Sequence, residues 1–92
     1  MTWRILILRK AEDDLAWHRR HHRRQYVKCF DLIREIATDP RQGTGKPERL
    51  KYLDREVWSR RVSHEDRMVY VVYAEEGSVE IVSCRSHYEV DL

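Results

Sequence analysis

The feature that most restricts the fold is a change of hydrophobic period part-way along the chain. Between residues 26 and 37 the apolar residues Tyr26, Cys29, Phe30, Ile33, Ile36 and Ala37 recur at helical spacing, and Asp39-Pro40 ends the pattern. Beyond Arg55 the pattern becomes that of strands. Glu56 to Ser63, Arg67 to Ala74 and Val79 to Arg85 are rich in β-branched and aromatic residues, and His64-Glu65-Asp66 and Glu75-Glu76-Gly77-Ser78 separate them. Upstream, Trp3 to Leu8 is a short apolar run that reads as a mostly buried first strand. A thinner helical face follows from about Lys10 to Arg23, with Ala11, Leu15 and His18 in phase and Glu12, Asp13 and Asp14 in the first turn, where the helix dipole favours anions.

The predicted order is therefore β-α-α-β-β-β. This is an α+β class, a largely antiparallel sheet with a two-helix hairpin packed on one face. The length, 92 residues, predicts a single domain with a modest core, which favours help from a partner or a second copy. No apolar run approaches the ~20 residues of a membrane-spanning helix, and Ile5-Leu6-Ile7-Leu8 is too short for a signal sequence, so a cytoplasmic protein is expected. Cys29 and Cys84 are in no CxxC spacing and read as buried, reduced thiols.

Charge is distributed rather than in excess. Lys and Arg number 18 against 16 Asp and Glu, but acidic residues collect at Glu12-Asp13-Asp14, Glu65-Asp66, Glu75-Glu76 and the C-terminus. Basic residues collect from Arg19 to Arg24 and from Lys46 to Arg61, which permits a positive face suited to a polyanion. The run His18 to Arg24 holds three histidines, but its four arginines would repel a metal ion. Two readings of it stay open, a solvated helix end and an RNA-backbone contact.

The stretch from Asp39 to Arg55, with Gly43, Gly45 and Pro47, is long for such a domain and is a candidate functional loop. Strand register points to the same region. If Ala74 opposes Val79 in the last hairpin, Arg67 comes opposite Ser86 and beside His87, and the preceding turn brings Arg61 to the same end. A turn centred on Asp54-Arg55 would lay Leu50-Lys51-Tyr52 antiparallel to the next strand and bring Glu48 near Arg61.

Glu48, Lys51, Arg61, Arg67 and His87 are thereby gathered toward one end of the sheet. Metal-free RNA cleavage needs a base for the 2′-hydroxyl, an acid for the departing 5′-oxygen, and cations around the phosphate. Glu48 can be the base, His87 the acid and Arg67 the phosphate ligand, with Lys51, Arg60 and Arg61 on the substrate backbone and Tyr88 available to stack on a base. Such chemistry leaves a 2′,3′-cyclic phosphate and a 5′-hydroxyl and spares DNA; no metal or other cofactor is expected. Taken singly, each of these residues also reads as an ordinary exposed or ion-paired side chain, and Trp58, Tyr70 and Tyr73 as core or sheet-face residues.

Five segments narrow the choice: Gly45-Lys46-Pro47-Glu48, Leu50-Lys51, Trp58-Ser59-Arg60-Arg61, Arg67-Met68-Val69-Tyr70 and Cys84-Arg85-Ser86-His87-Tyr88. Their order and spacing closely resemble the YoeB/Txe branch of the RelE-like toxins, over nearly the whole chain. The resemblance implies a RelE-like fold spanning 1–92 and cleavage of messenger RNA in the A site of the small (30S) ribosomal subunit. It also implies neutralisation by a YefM-like antitoxin and, often, a homodimer. By position, Glu48 matches the general base, Arg67 the phosphate-stabilising arginine, His87 the general acid and Tyr88 the terminal aromatic, while Lys51 and Arg61 match supporting basic positions. The chain departs from the family where Glu89-Val90-Asp91-Leu92 follow the His-Tyr pair, and in its His/Arg-rich helix junction. The rival reading is a non-catalytic RNA- or ribosome-binding inhibitor of translation. A transcription-regulating subunit is disfavoured, since no DNA-reading motif is recognisable.

Overall fold

The structure, a computed structural model, describes residues 2–51 and 53–86. Seven elements follow in order: β1 (Arg4–Ile7), α1 (Arg9–His21), α2 (Arg23–Thr38), β2 (Glu48–Arg49), β3 (Glu56–Arg61), β4 (Arg67–Tyr73) and β5 (Ser78–Ser86). The expected α+β order is present, with one addition: the short β2 inside the candidate loop. The strands form one sheet in the order β1-β5-β4-β3-β2. Hairpins join β2 through β5 antiparallel, whereas β1 lies parallel to β5 because the helical hairpin carries the chain across between them.

The helix stripes and one sheet face make the main core. Ala11 and Leu15 of α1 and Cys29, Leu32 and Ile36 of α2 pack on Met68, Tyr70 and Val72 of β4 and on Val79, Ile81 and Cys84 of β5. Cys29 and Cys84 are free and buried as expected, and a hydrogen bond with Cys29 together with burial pushes the Cys84 thiol up, away from reactivity. A smaller cluster, Val57, Val69 and Val71 with Leu50, Tyr73 and Val82 against it, occupies the opposite face. β4 is therefore buried on both sides, which accounts for its unbroken run Met68-Val69-Tyr70-Val71-Val72.

Three expectations need correction. The first strand is not mostly buried: β1 is a sheet edge, and Leu6 is 50% exposed. His18, placed at a solvated junction, is wholly buried; its Nε2–H donates to the Cys84 carbonyl at 2.8 Å. The β4–β5 register also differs at the turn. Tyr73 opposes Ser78 and Val72 opposes Val79, two residues out of step with an Ala74–Val79 start, yet Arg67 does oppose Ser86. Two register shifts, on either side of the Val69–Ser83 pair, account for the difference.

Candidate active site

Strand parity divides the polar residues of β3 and β4 between two faces. Arg60 opposes Met68 and Trp58 opposes Tyr70, so these four share the face under the helices. Ser59 opposes Val69 and Arg61 opposes Arg67, which puts Arg61 and Arg67 on the helix-free face. Glu48 joins them there, because β2 pairs with β3 through Glu48–Ser59 and Arg49–Trp58. The β2 pairing is two residues short of the expected one beside Arg61, but Glu48 and Arg61 still border the same concavity. Its volume is about 280 Å³, and Lys46, Pro47, Glu48, Arg61 and Arg67 line it.

Three cations thus surround one carboxylate in a space of phosphate size. A single carboxylate among cations is a poor donor set for a divalent metal and a good one for a phosphodiester. Lys51 is exposed just after β2 and is not part of this lining. His87 and Tyr88 lie outside the described residues; the chain runs on to them from Ser86, which pairs with Arg67. A larger and more open hollow of about 790 Å³ lies between α2 and the loop, but its carboxylate Glu35 is already occupied by Thr44 and Arg60.

Arg60 is the clearest correction among the site residues. Expected on the substrate backbone, it is completely buried and uses its whole guanidinium fork inside the protein. Nε donates to the Tyr70 hydroxyl at 3.0 Å, Nη1 to Glu35 Oε1 at 3.2 Å and the Thr44 carbonyl at 3.3 Å, and Nη2 to the Asp39 and Gln42 carbonyls at 3.0 and 2.7 Å. Tyr70 passes the chain on, donating to the Pro40 carbonyl at 2.6 Å. One side chain therefore satisfies the inward-facing carbonyls of the loop and sets its path.

Around this lock the loop is tied at both ends. Glu35 accepts from the Thr44 amide and hydroxyl at 2.7 and 2.6 Å, bonds that hold its carboxyl below the usual range, with Arg60 adding to the effect. Arg41 grips Glu56 through two bonds of 2.7 and 3.0 Å, and Trp58 Nε1 adds a third at 2.8 Å, so Glu56 is likewise held low. Gly43 is required where the loop crosses this cluster: a Cβ there would stand 2.3 Å from Glu35 Oε1 and 2.6 Å from Arg60 Nη1, at a φ of 132°. The Arg61 amide bonds the Gly45 carbonyl at 2.7 Å, and Lys46 follows with a φ of 51°, a left-handed backbone uncommon for a residue with a Cβ. That bend turns the chain from the lock into β2 and puts Glu48 over the sheet. Strain of this kind concentrates at functional sites.

Sequence reasoning missed Glu35, Tyr70 and the true place of Arg60. The signal for Arg60 was present, since neighbours on a strand point to opposite faces and Arg60 and Arg61 could not both have lined one site.

A family model described as the YoeB-like toxin of the bacterial type II toxin-antitoxin system matches residues 8–88. The chain belongs to that family. It is 38% identical over 76 residues to the YoeB toxin of Synechocystis sp., covering 83% of this chain and 86% of that one. Among solved structures, a YoeB/ParE toxin from Agrobacterium tumefaciens superposes with a TM-score of 0.82 at 37% identity, over 92% of this chain and 99% of the other. The toxin in a heterotetrameric YoeB-YefM toxin-antitoxin complex from Staphylococcus aureus gives a TM-score of 0.78 at 30% identity, over 96% and 100%. A more distant likeness to an archaeal RelE-RelB complex from Pyrococcus horikoshii, TM-score 0.75 at 15% identity over 98% and 100%, shows the RelE-like fold of this YoeB-like toxin.

Proposed function

We propose that this YoeB-type toxin is a metal-independent endoribonuclease that cuts messenger RNA in the ribosomal A site and so stops translation. The observation that carries the proposal is the meeting of Glu48, Arg61 and Arg67 on one face around a phosphate-sized concavity, beside the strand that leads into His87. Glu48 takes the proton of the 2′-hydroxyl. The freed oxygen attacks the adjacent phosphorus, and charge accumulates on the non-bridging oxygens, where Arg67 stabilises it most. His87 gives a proton to the departing 5′-oxygen, leaving a 2′,3′-cyclic phosphate and a 5′-hydroxyl. Arg61 and Lys46, with Lys51 further along, hold neighbouring phosphates, and Tyr88 stacks on a base at the cut. Arg60 acts at one remove by fixing the loop that presents Glu48.

The toxin is held in check by a YefM-like antitoxin, the partner with which the Staphylococcus aureus relative was solved. Among the described residues no helix is long and apolar enough to cross a membrane, in keeping with action at the ribosome.

The test is a reconstituted translation reaction in which 5′ ends of the message are mapped on programmed ribosomes. Cuts in the A-site codon, with cyclic-phosphate ends, are expected from the wild-type protein and not from Glu48→Gln or His87→Gln. Intact messages at matched protein levels would remove the nuclease reading. A translation block that survives both substitutions would favour inhibition by occupancy.

A further inference from the structure

Past Ile81, β5 loses its neighbour. The last β1 contacts are the Ile7–Ile81 pair and the Leu8 amide on the Ile81 carbonyl at 3.0 Å, so the edge of β5 from Val82 onward has no strand beside it. Three side chains of α1, spaced four residues apart on one face, take that place. Asp14 Oδ2 accepts from the Cys84 amide at 3.0 Å and from the Arg85 amide at 3.2 Å. His18 Nε2–H donates to the Cys84 carbonyl at 2.8 Å. Lys10 Nζ reaches the Arg85 carbonyl at 3.3 Å while pairing with Asp14 at 2.7 Å. Asp14 is itself only 6% exposed.

These contacts fall where the β4–β5 ladder breaks step. Tyr70 opposes Ile81, Val69 opposes Ser83 and Arg67 opposes Ser86, so Cys84 and Arg85 together face Met68 alone. A β-bulge leaves backbone groups of its extra residue without ladder partners, and here one carboxylate collects two successive amides. If the register of the hairpin turn continued unbroken, Arg67 would oppose Cys84. The two shifts draw Ser86 back by two places, about 7 Å at ~3.4 Å per residue. The residue that follows Ser86 is thereby delivered beside the Arg61–Arg67 pair instead of beyond the end of the sheet.

We propose that Asp14, supported by Lys10 and His18, is a positioning residue for RNA cleavage: it holds the bulge that brings the chain carrying His87 level with Arg67. The inference rests on the reading of His87 as the general acid. Glu48, Arg61 and Arg67 sit on β2, β3 and β4, and none of them depends on Asp14. Substrate binding and acid placement are therefore separable.

The experiment compares full-length Asp14→Ala and Asp14→Asn with wild type in the programmed-ribosome cleavage assay, alongside amide hydrogen exchange. Asparagine keeps an acceptor oxygen and nearly the same volume. Asp14→Ala is expected to lower kcat by about tenfold or more, as small misplacements of a reacting group do, while KM stays within about twofold. Asp14→Asn should recover most of the loss, and exchange at Cys84 and Arg85 should quicken in the order wild type, Asn, Ala. An Asp14→Ala protein that exchanges quickly at those amides yet keeps wild-type kcat would overturn the inference. So would a parallel fall in kcat/KM caused by KM alone. If the alanine variant does not fold, Asp14→Asn decides: kcat reduced about twofold to fivefold at unchanged KM supports the inference, and unchanged kcat overturns it. His87→Gln run in parallel separates the two readings, since full activity there removes the acid assignment itself, whereas its loss beside an unaffected Asp14→Ala removes only the role of Asp14.

Discussion

Arg60 and Arg61 are adjacent in the chain and carry the same guanidinium, yet they sit in opposite worlds. Arg60 lies under the helices, fully buried, with Glu35, Tyr70 and the Asp39, Gln42 and Thr44 carbonyls around it. Arg61 lies on the helix-free face, exposed, opposite Arg67 at the rim of the concavity. One charge organises the loop; the other is left to meet a phosphate. Residue type says little about role until strand parity and the position of the helices are known.

The contrast is open to direct attack. Arg60→Ala strands Glu35 and the loop carbonyls, and the expected loss is about 3 kcal/mol of unfolding free energy, the low end for a broken buried pair because Glu35 partly faces water. Urea unfolding measures it; a loss below about 1 kcal/mol would mean the loop does not depend on this lock. Gly43→Ala attacks the same contact from the other side, and its clash and positive φ should cost roughly 1–3 kcal/mol with Arg60 intact.

Arg61→Ala should leave the unfolding midpoint unchanged while weakening RNA or ribosome binding by about threefold to tenfold. It should also reduce the slope of log affinity against log salt by about one. Binding titrations at several salt concentrations read both effects, and a stability loss matching that of Arg60→Ala would erase the proposed distinction between the two arginines. The smallest effect is on pH. The carboxyls of Glu35 and Glu56 are held below the ordinary value of 4.5, by Thr44 and Arg41 respectively. Their contribution to stability is fully present above that value and is lost as pH falls through the lowered folded-state values. Acid unfolding should therefore begin below about pH 4.5, and Glu35→Gln with Glu56→Gln should flatten that limb.

Much of the architecture was legible from local pattern. The stripe from Tyr26 to Ala37 requires a helix whatever surrounds it, and the alternation and turn residues after Arg55 require hairpins; both belong to nearest-neighbour sterics and burial. The gathering of Glu48, Arg61 and Arg67 was legible too, because hairpin counting carries charged residues to one end of a sheet. Counting failed where a non-local partner intervened. The β4–β5 ladder slips by two because α1 offers Asp14 to the Cys84 and Arg85 amides, 70 and 71 residues away in sequence. The end pair Arg67–Ser86 was reached from a misplaced turn only because the bulge cancels the error.

By itself the sequence determined the kind and order of the elements, the family, and the chemical set from which a site could be made, since these follow from side-chain spacing and type. Tertiary structure alone decided that β1 is an exposed edge, that His18 turns inward, and that Arg60 ties down the loop while Arg61 faces outward. The physical reason is desolvation. Whether a polar group is held inside or left to a ligand depends on which backbone amides and carbonyls arrive beside it unpaired, and that is a property of packed elements distant in the chain.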